Sequence, residues 1–257
     1  ECSAMSEKTL GLPFDIHSGG MDLTFPHHEN EIAQSCMAHN KMDEPRAFAK
    51  YWVHNGFVIV DGEKMSKSLG NIRLVHELIK DYRGEVIRLA LLSTHYRQPL
   101  NWTTSAIEQS LKTLNRLYRS LRELDDINLE KDEVLKLPSQ ILEILCDDLN
   151  TPKMLAALNA LVDQAFKAEP NEKKEIKKGL LATGSLLGIL QEKPDVWLGY
   201  GQTQNINSQT IEKLINERKE ARGNRDFKRA DIIRKELRDM GIEIEDTKDK
   251  TIWRNIK

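Results

Sequence analysis

Two lysines three positions apart, Lys64 and Lys67, alternate with the hydroxyls of Ser66 and Ser68. An ammonium on a flexible stem is a mobile point charge that can follow a phosphate as negative charge develops on it. The pair therefore suits a polyphosphate, although on charge alone the stretch reads more readily as a solvated surface loop. A second group of donors lies upstream. His27 and Glu31 are four residues apart, which puts them one turn apart on one face of a helix. Cys2 offers a sulfur from the preceding segment, and an imidazole, a carboxylate and a thiol can share one metal ion. By spacing alone the same His–Glu pair also reads as a solvated or hydrogen-bonded pair. Between these groups, His17 ends an alternating run and is followed by Gly19 and Gly20, where the backbone can approach a ligand closely, and then by Asp22.

The elements that must position these side chains are legible in outline. Phe14-Asp15-Ile16-His17 alternates apolar and polar residues and predicts a short strand. Phe25-Pro26 opens a helix, since proline is tolerated in a first turn. Residues 40–48, with Pro45, read as a surface loop. Tyr51 and Trp52 are expected in the core, with the chemistry of His54 open. The apolar, β-branched run Phe57-Val58-Ile59-Val60 predicts a buried strand, and Asp61-Gly62 a tight turn into the lysine loop. Beyond Asn71 the pattern is almost wholly helical. Helices are expected at 74–79 and 86–92, then over 105–124 with Ile107, Leu111, Leu114 and Leu117 at core spacing, and again near 139–147, 152–168 and 172–190. Asp147-Asp148-Leu149-Asn150-Thr151-Pro152 reads as a capped helix start. The stretch from Pro194 to Ser208 reads as a linker. Two more helices separated at Gly223-Asn224, a break at Gly241 and the alternating Ile242-Glu243-Ile244-Glu245 complete the chain.

Composition bounds the possibilities. The 257 residues are 39% hydrophobic and 30% charged, ample for a core and for two or three domains. A net charge of −2 is the balance of dense charge of both signs, which suits solvated helices more than one strongly basic surface. No stretch is long and apolar enough to span a membrane, and no secretory leader is evident. Cys2, Cys36 and Cys146 form no pairable framework and point to a reducing compartment, the cytoplasm. Cys36 and Cys146 are expected as small apolar fillers. The chain begins Glu1-Cys2-Ser3-Ala4-Met5 in the manner of mid-domain sequence, so it is expected to be a portion of a longer protein.

The order Lys64-Met65-Ser66-Lys67-Ser68 resembles the loop motif of class I aminoacyl-tRNA synthetases. Within that class, Glu1-Cys2-Ser3-Ala4-Met5, Phe14-Asp15-Ile16-His17, Gly19-Gly20, Asp22-Leu23 and Phe25-Pro26-His27-His28-Glu29-Asn30-Glu31-Ile32-Ala33-Gln34-Ser35 resemble the cysteinyl-tRNA synthetases. So do Arg218-Lys219-Glu220-Ala221-Arg222, Ala230-Asp231-Ile232-Ile233-Arg234 and the stretch from Gly241 to Arg254. The resemblance covers nearly the full chain. It implies the α/β part of a Rossmann-type class I synthetase catalytic domain, followed by an all-α helical bundle and a small α+β C-terminal domain. The implied division is 1–72 for the catalytic part, 73–124 for a helical stem-contact region, 125–194 for the bundle, 195–207 for a linker and 208–257 for an anticodon-binding domain.

The same resemblance implies a function. Cysteine would be activated with ATP and Mg2+ to cysteinyl adenylate and then transferred to tRNA(Cys). The implied zinc ligands are Cys2, His27 and Glu31, with the family's fourth ligand and its upstream histidine motif outside this chain. Zinc would select the cysteine thiolate over the serine hydroxyl, a distinction that shape and hydrophobic contact alone make only about 10–200-fold. His17 would lie by the substrate, Gly19 and Gly20 by the adenosine and Asp22 by the ribose, while Lys67, supported by Lys64, would stabilise the pyrophosphate. Arg222, Trp253 and Arg254 would contact anticodon bases by stacking and charge, although a solvated charged face accounts for the mild excess of base in that domain equally well. A monomer that is inactive without its upstream half is expected. Two other readings share many of these residues: the related ligase that joins cysteine to a glucosamine-inositol acceptor in mycothiol synthesis, and a noncatalytic tRNA-binding fragment. The terminal domain argues against the first.

Overall fold

The computed structural model describes residues 1–130, 135–200, 208–224, 226–246 and 251–255. By internal contact the chain forms two compact units, 1–111 with 139–157, and 112–138 with 158–257.

The first unit opens on α1 (Cys2–Leu10), a helix the sequence pattern does not announce. Strand β1 (Phe14–Gly20) runs on to Gly20, past the expected end at His17. A 3-10 turn (Met21–Leu23) and a wide turn (Thr24–His28) then lead into α2 (Glu29–Ala38). The regular helix thus begins three residues beyond Pro26 rather than at it, because Phe25 is extended (φ −134°, ψ 133°) inside the turn. Strand β2 (Ala49–Asn55) returns parallel to β1, pairing Phe14 with Ala49, His17 with Trp52 and Gly20 with Asn55. Parallel neighbours need a crossover, and α2 supplies it, giving a β–α–β unit. Phe14, Phe48 and Ala49 form its core, with Leu12, Ile32 and Trp52 packed against them. The loop expected at 40–48 therefore ends in a fully buried residue, Phe48. Tyr51, expected in the core, is 68% exposed; it stands on the sheet face opposite Trp52, as strand alternation requires. Cys36 is buried as expected, whereas Cys146 is exposed.

Strand β3 (Val58–Val60) turns through Asp61 (φ 51°) and Gly62 (φ 88°) into β4 (Glu63–Lys64). Two consecutive left-handed residues are the requirement of a two-residue hairpin turn, which is why Asp-Gly stands there. On its other edge β3 pairs in parallel with β5 (Leu100–Trp102), reached through α3 (Val75–Asp81) and α4 (Gly84–Leu92). The β2–β3 connection passes so close to the following turn that a Cβ on Gly56 would lie 2.4 Å from the Gln98 carbonyl oxygen. That obstacle is backbone and cannot swing aside, so Gly56→Ala is expected to destabilise the unit by about 2 kcal/mol. A denaturant midpoint unchanged by the substitution would contradict the close approach.

Helix α5 (Thr104–Glu123) buries Ile107, Leu114, Leu117, Tyr118 and Leu121 on one stripe. Leu111, expected in that stripe, is 40% exposed because it falls at its edge. Helices α6 (Ser139–Cys146), α7 (Thr151–Ala165) and α8 (Pro170–Leu187) follow, the last with a reciprocal Glu169–Glu172 cap at its start and left-handed Gly188 at its end. The expected linker is in part a helix. Residues Pro194–Leu198 form α9, and Trp197 is buried, stacked 4.4 Å from Tyr118 and donating to Asn115 at 2.8 Å. Residues 201–207 lie outside the described residues. The terminal part comprises α10 (Ser208–Gly223), α11 (Phe227–Asp239) and the antiparallel pair β6 (Ile242–Asp246) and β7 (Thr251–Asn255). Its core is Ile211, Ile233, Leu237, Ile242 and Ile244.

Candidate functional site

The donors on α1, in the wide turn before α2 and on α2 itself converge. The Cys2 sulfur, a His27 ring nitrogen and a Glu31 carboxylate oxygen all lie within 4.8 Å of one another. Cys2 and His27 are exposed while Glu31 is only 4% exposed, so the trio opens to solvent over a buried carboxylate. Helical spacing does the work for two of the three: the His27 Nε2 is 3.8 Å from Glu31 Oε2. His17, on β1, donates from Nε2 to the same Oε2 at 2.8 Å. A hydrogen bond of this kind fixes a ligating carboxylate in one rotamer. The sulfur, nitrogen and oxygen donors are those zinc accepts in a four-coordinate site, and the set fits that ion. A second grouping, His17, His28 and Glu31, is equally close. His28 in it is 3% exposed and already faces His54, with His28 Nδ1 and His54 Nε2 2.8 Å apart. One ring must donate and the other accept, so at least the accepting ring is uncharged. Burial, and then the neighbouring His17 and His54 rings, hold His28 below the ordinary histidine range. Its environment thus favours an uncharged structural ring, and the open donor set is Cys2, His27 and Glu31.

Around the donors the aromatic packing is dense. The His17 ring meets Trp52 edge-on at 4.8 Å and His28 at 5.0 Å. A Cβ on Gly19 would lie 2.9 Å from both His28 Cε1 and Leu23 Cδ1, and one on Gly20 2.4 Å from Asp22 Oδ1. Crowding against the buried His28 ring favours glycine at position 19, whereas at Gly20 the near atom is the mobile tip of Asp22, which folds back over it. His17, Gly19, Gly20, Asp22, His27 and Glu31 accordingly fall in one neighbourhood, as the sequence spacing suggests.

The lysine loop is built on the hairpin. Lys64 ends β4 and holds its ammonium over the Phe57 ring, 5.1 Å from the centroid, a favourable cation–π placement. Lys67 stands exposed in the following turn. Asn71 clasps the loop shut: its Nδ2 donates to the Lys64 carbonyl at 3.2 Å and its Oδ1 accepts from the Ser66 N–H at 2.9 Å. Sequence reasoning gave Asn71 no role, although an asparagine closing a polar loop is the available signal.

A further cluster escaped the sequence pattern altogether. Asp148 accepts from Tyr96 Oη at 2.6 Å and from Arg97 Nε at 2.6 Å. The helix-start motif at 147–152 is thus partnered by Tyr96 and Arg97, fifty-two and fifty-one residues upstream of Asp148. The Arg97 hydrogen bond and then the Tyr96 hydroxyl hold the Asp148 carboxyl down at about 2. A carboxyl with a depressed folded value contributes stability above its ordinary value and loses it as pH falls toward the folded one. The cluster is expected to persist at neutral pH and to open between about pH 4 and about pH 2. Tyr96 ring resonances unchanged across that window would contradict it.

In the terminal part, the nucleic-acid candidates have other partners. Arg222 is paired with Asp246 at 2.6 Å, and Trp253 is half-buried against the terminal core. Arg254 lies on β7 opposite Glu243, and its side chain falls outside the described residues. The base-stacking expectation for Trp253 is therefore limited to the part of the ring its own core leaves uncovered.

Residues 1–112 match the family model of the tRNA synthetases class I (C) catalytic domain, and residues 207–254 that of the cysteinyl-tRNA ligase anticodon binding domain. A cysteine–tRNA ligase of Rhodospirillum rubrum is 50% identical over 99% of this chain and 54% of its own length. One of Maricaulis maris is 47% identical over all of this chain and 54% of its own. The chain thus spans about half the length of these relatives. Among solved structures, the ternary complex of the Agrobacterium radiobacter K84 LeuRS with tRNA and LeuAMS is similar in fold, with a TM-score of 0.52 over 73% of this chain and 28% of that one at 21% identity. Matched near both ends by domain models of one family, and about half identical to cysteine–tRNA ligases along nearly all its length, the chain is similar to the cysteinyl-tRNA synthetases over the part of them it spans.

Proposed function

We propose that this chain contributes the amino-acid pocket, the phosphate loop and the tRNA-reading domain of an enzyme that activates L-cysteine and transfers it to tRNA(Cys). The observation that carries the proposal is the convergence of Cys2, His27 and Glu31 within 4.8 Å, in the unit that also holds the lysine loop. Zinc held by these three residues would supply a soft Lewis acid that prefers a thiolate to a hydroxyl. His17 keeps the Glu31 carboxylate in place, and the buried His28, paired with the half-buried His54, packs beneath Gly19. Gly19 and Gly20 bring the backbone at the end of β1 against the adenosine, and Asp22 is the acceptor for ribose hydroxyls.

In the first step a carboxylate oxygen of cysteine bonds to the α-phosphorus of ATP, and the bond to the bridging oxygen breaks, sending its electron pair out with pyrophosphate. Charge accumulates on the departing group, where Lys67, with Lys64 beside Phe57, stabilises it. In the second step a terminal ribose hydroxyl of tRNA takes the acyl group and AMP leaves. Mg2+ accompanies ATP. We assign 1–72 to the catalytic part, 73–124 to the stem-contact region, 125–194 to the bundle, 195–207 to the connection and 208–257 to anticodon reading by Arg222, Trp253 and Arg254, in a monomeric cytoplasmic enzyme. No helix among the described residues is long and apolar enough to cross a membrane.

The test is cysteine-dependent exchange of pyrophosphate into ATP by the whole protein, followed by charging of tRNA(Cys). Lys67→Ala is expected to slow the exchange by about 100-fold or more. Exchange driven by a different amino acid, or a protein that loads no tRNA, would overturn the assignment.

A further inference from the structure

Asp148 sits at the junction of α6 and α7 in the left-handed region (φ 53°), as does Leu149 (φ 54°). Side-chain-bearing residues adopt that conformation reluctantly, and it persists where surrounding contacts impose it. Here the contacts come from one tripeptide. His95 Nε2 donates to the Asp148 carbonyl at 2.9 Å, Tyr96 Oη to Oδ1 at 2.6 Å, and Arg97 to both carboxylate oxygens, at 2.6 Å from Nε and 3.2 Å from Nη2. The Arg97 N–H donates in turn to His95 Nδ1 at 3.3 Å, which sets the histidine tautomer that leaves Nε2 its proton.

The same turn is fastened on its far side to the pocket. Gly56 donates its N–H to the Tyr96 carbonyl at 2.7 Å. A Cβ there would lie 2.4 Å from the Gln98 carbonyl oxygen and 3.0 Å from that of Arg97. Gly56 is the connection between β2 and β3. Two residues before it, His54 faces the buried His28. One residue after it, Phe57 carries the Lys64 ammonium on its ring and accepts from the Leu100 N–H at 2.8 Å. Exposed ion pairs return little stability, and the Arg97 and Asp148 side chains are 48% and 46% exposed. Four hydrogen bonds converging on one exposed, strained residue fix direction more than they stabilise the fold.

We propose that Asp148 is a positioning residue: through the His95–Arg97 turn it fixes Gly56, and with it the placement of the His54 end of β2 and of the hairpin that carries the lysine loop. The catalytic part of this statement rests on the cysteine-activating function proposed above; the structural part does not.

Two measurements separate them. In the whole protein, Asp148→Asn keeps the side chain's size and one acceptor but loses the paired charge. Its kcat for cysteine-dependent pyrophosphate exchange is expected to fall about 10–100-fold, since small misplacements at a reacting site are this costly. KM for cysteine and for ATP should stay within about twofold and zinc content should be unchanged. Arg97→Met should do the same, and the double variant should be no worse than the poorer single, as for two halves of one contact. Unchanged kcat, or losses that multiply, would overturn the proposal. In the 257-residue chain, with ring-15N-labelled histidine, Asp148→Asn should shift the His54 and His28 resonances, while Lys213→Ala, at an exposed position of α10, should not. Tyr96→Phe, which removes a single hydrogen bond, serves if Asp148→Asn fails to fold. Unmoved His54 resonances in a folded variant would sink the linkage itself. Shifted resonances in a protein without cysteine-dependent exchange would uphold the linkage and fault only the assigned reaction.

Discussion

Glu31→Gln is expected to weaken zinc binding by more than about 100-fold, the upper end of what loss of even an outer-shell partner costs a metal site. Glutamine keeps the size of the side chain but removes the anion, and it leaves the His17 Nε2 proton, now 2.8 Å from Oε2, facing a weaker acceptor. The group is buried at 4% exposure, so water does not make good the loss. The effect should exceed that of His27→Ala, because His27 is exposed and holds only its own donor atom, whereas Glu31 is also the anchor of His17. Competition against a zinc-responsive chelator orders the two variants on the isolated chain. Equal or reversed losses would mean that Glu31 is a structural acceptor for His17 and that the ion, if bound, is held elsewhere. Serine should compete with cysteine more effectively in whole protein carrying either variant, since the distinction then falls back on shape.

The second large effect is expected at Asp246. Arg218 donates to both of its carboxylate oxygens, at 2.9 and 2.8 Å, Arg222 donates at 2.6 Å and Thr251 Oγ1 at 2.7 Å. One carboxylate thereby ties α10 to the β6–β7 pair. The Arg218 side chain is only 8% exposed, so Asp246→Ala leaves a nearly buried guanidinium without its anion. Breaking a fully buried pair costs about 3–5 kcal/mol. The Asp246 side chain is 39% exposed, which admits water and brings the expected loss to about 2–3 kcal/mol. Arg218→Met together with Asp246→Leu should recover a large part of it, since the cost lies in the stranded charge. Denaturation followed by Trp253 fluorescence measures both, and a double variant as unstable as Asp246→Ala would contradict this account. The pH dependence has a defined sign. The Arg218 hydrogen bonds, foremost, hold the Asp246 carboxyl well below the usual range, so its contribution is present above the ordinary aspartate value and is lost as pH falls below it.

Neither prediction could be drawn from the sequence at the same depth, and the reasons differ. His27 and Glu31 are four apart across the wide turn that runs into α2, and local geometry alone makes them neighbours. Arg218 and Asp246 are twenty-eight residues apart, so their pairing waits on how α10 meets β6. The same distinction runs through the fold. The hairpin at Asp61-Gly62, the helices after Asn71 and the break at Gly241 follow from residue-scale preferences for φ and from apolar spacing. The parallel pairings of β1 with β2 and of β3 with β5 do not, because each joins strands across a crossover that no local preference encodes.

By itself the sequence determined the family resemblance, the lysine loop and the three donors, because each rests on residue types in a short or fixed spacing. It determined most helices too, through their 3.6-residue period. Tertiary structure alone decided that Glu31 is buried and gripped by His17, that His28 faces His54, and that Tyr51 lies outside the core. It decided as well that the stretch after Pro194 folds as a helix over Trp197, and that Asp148 belongs to the turn of His95–Arg97. A side chain's burial and its hydrogen-bond partner depend on which distant element comes to lie against it, and that is settled only when the whole core closes.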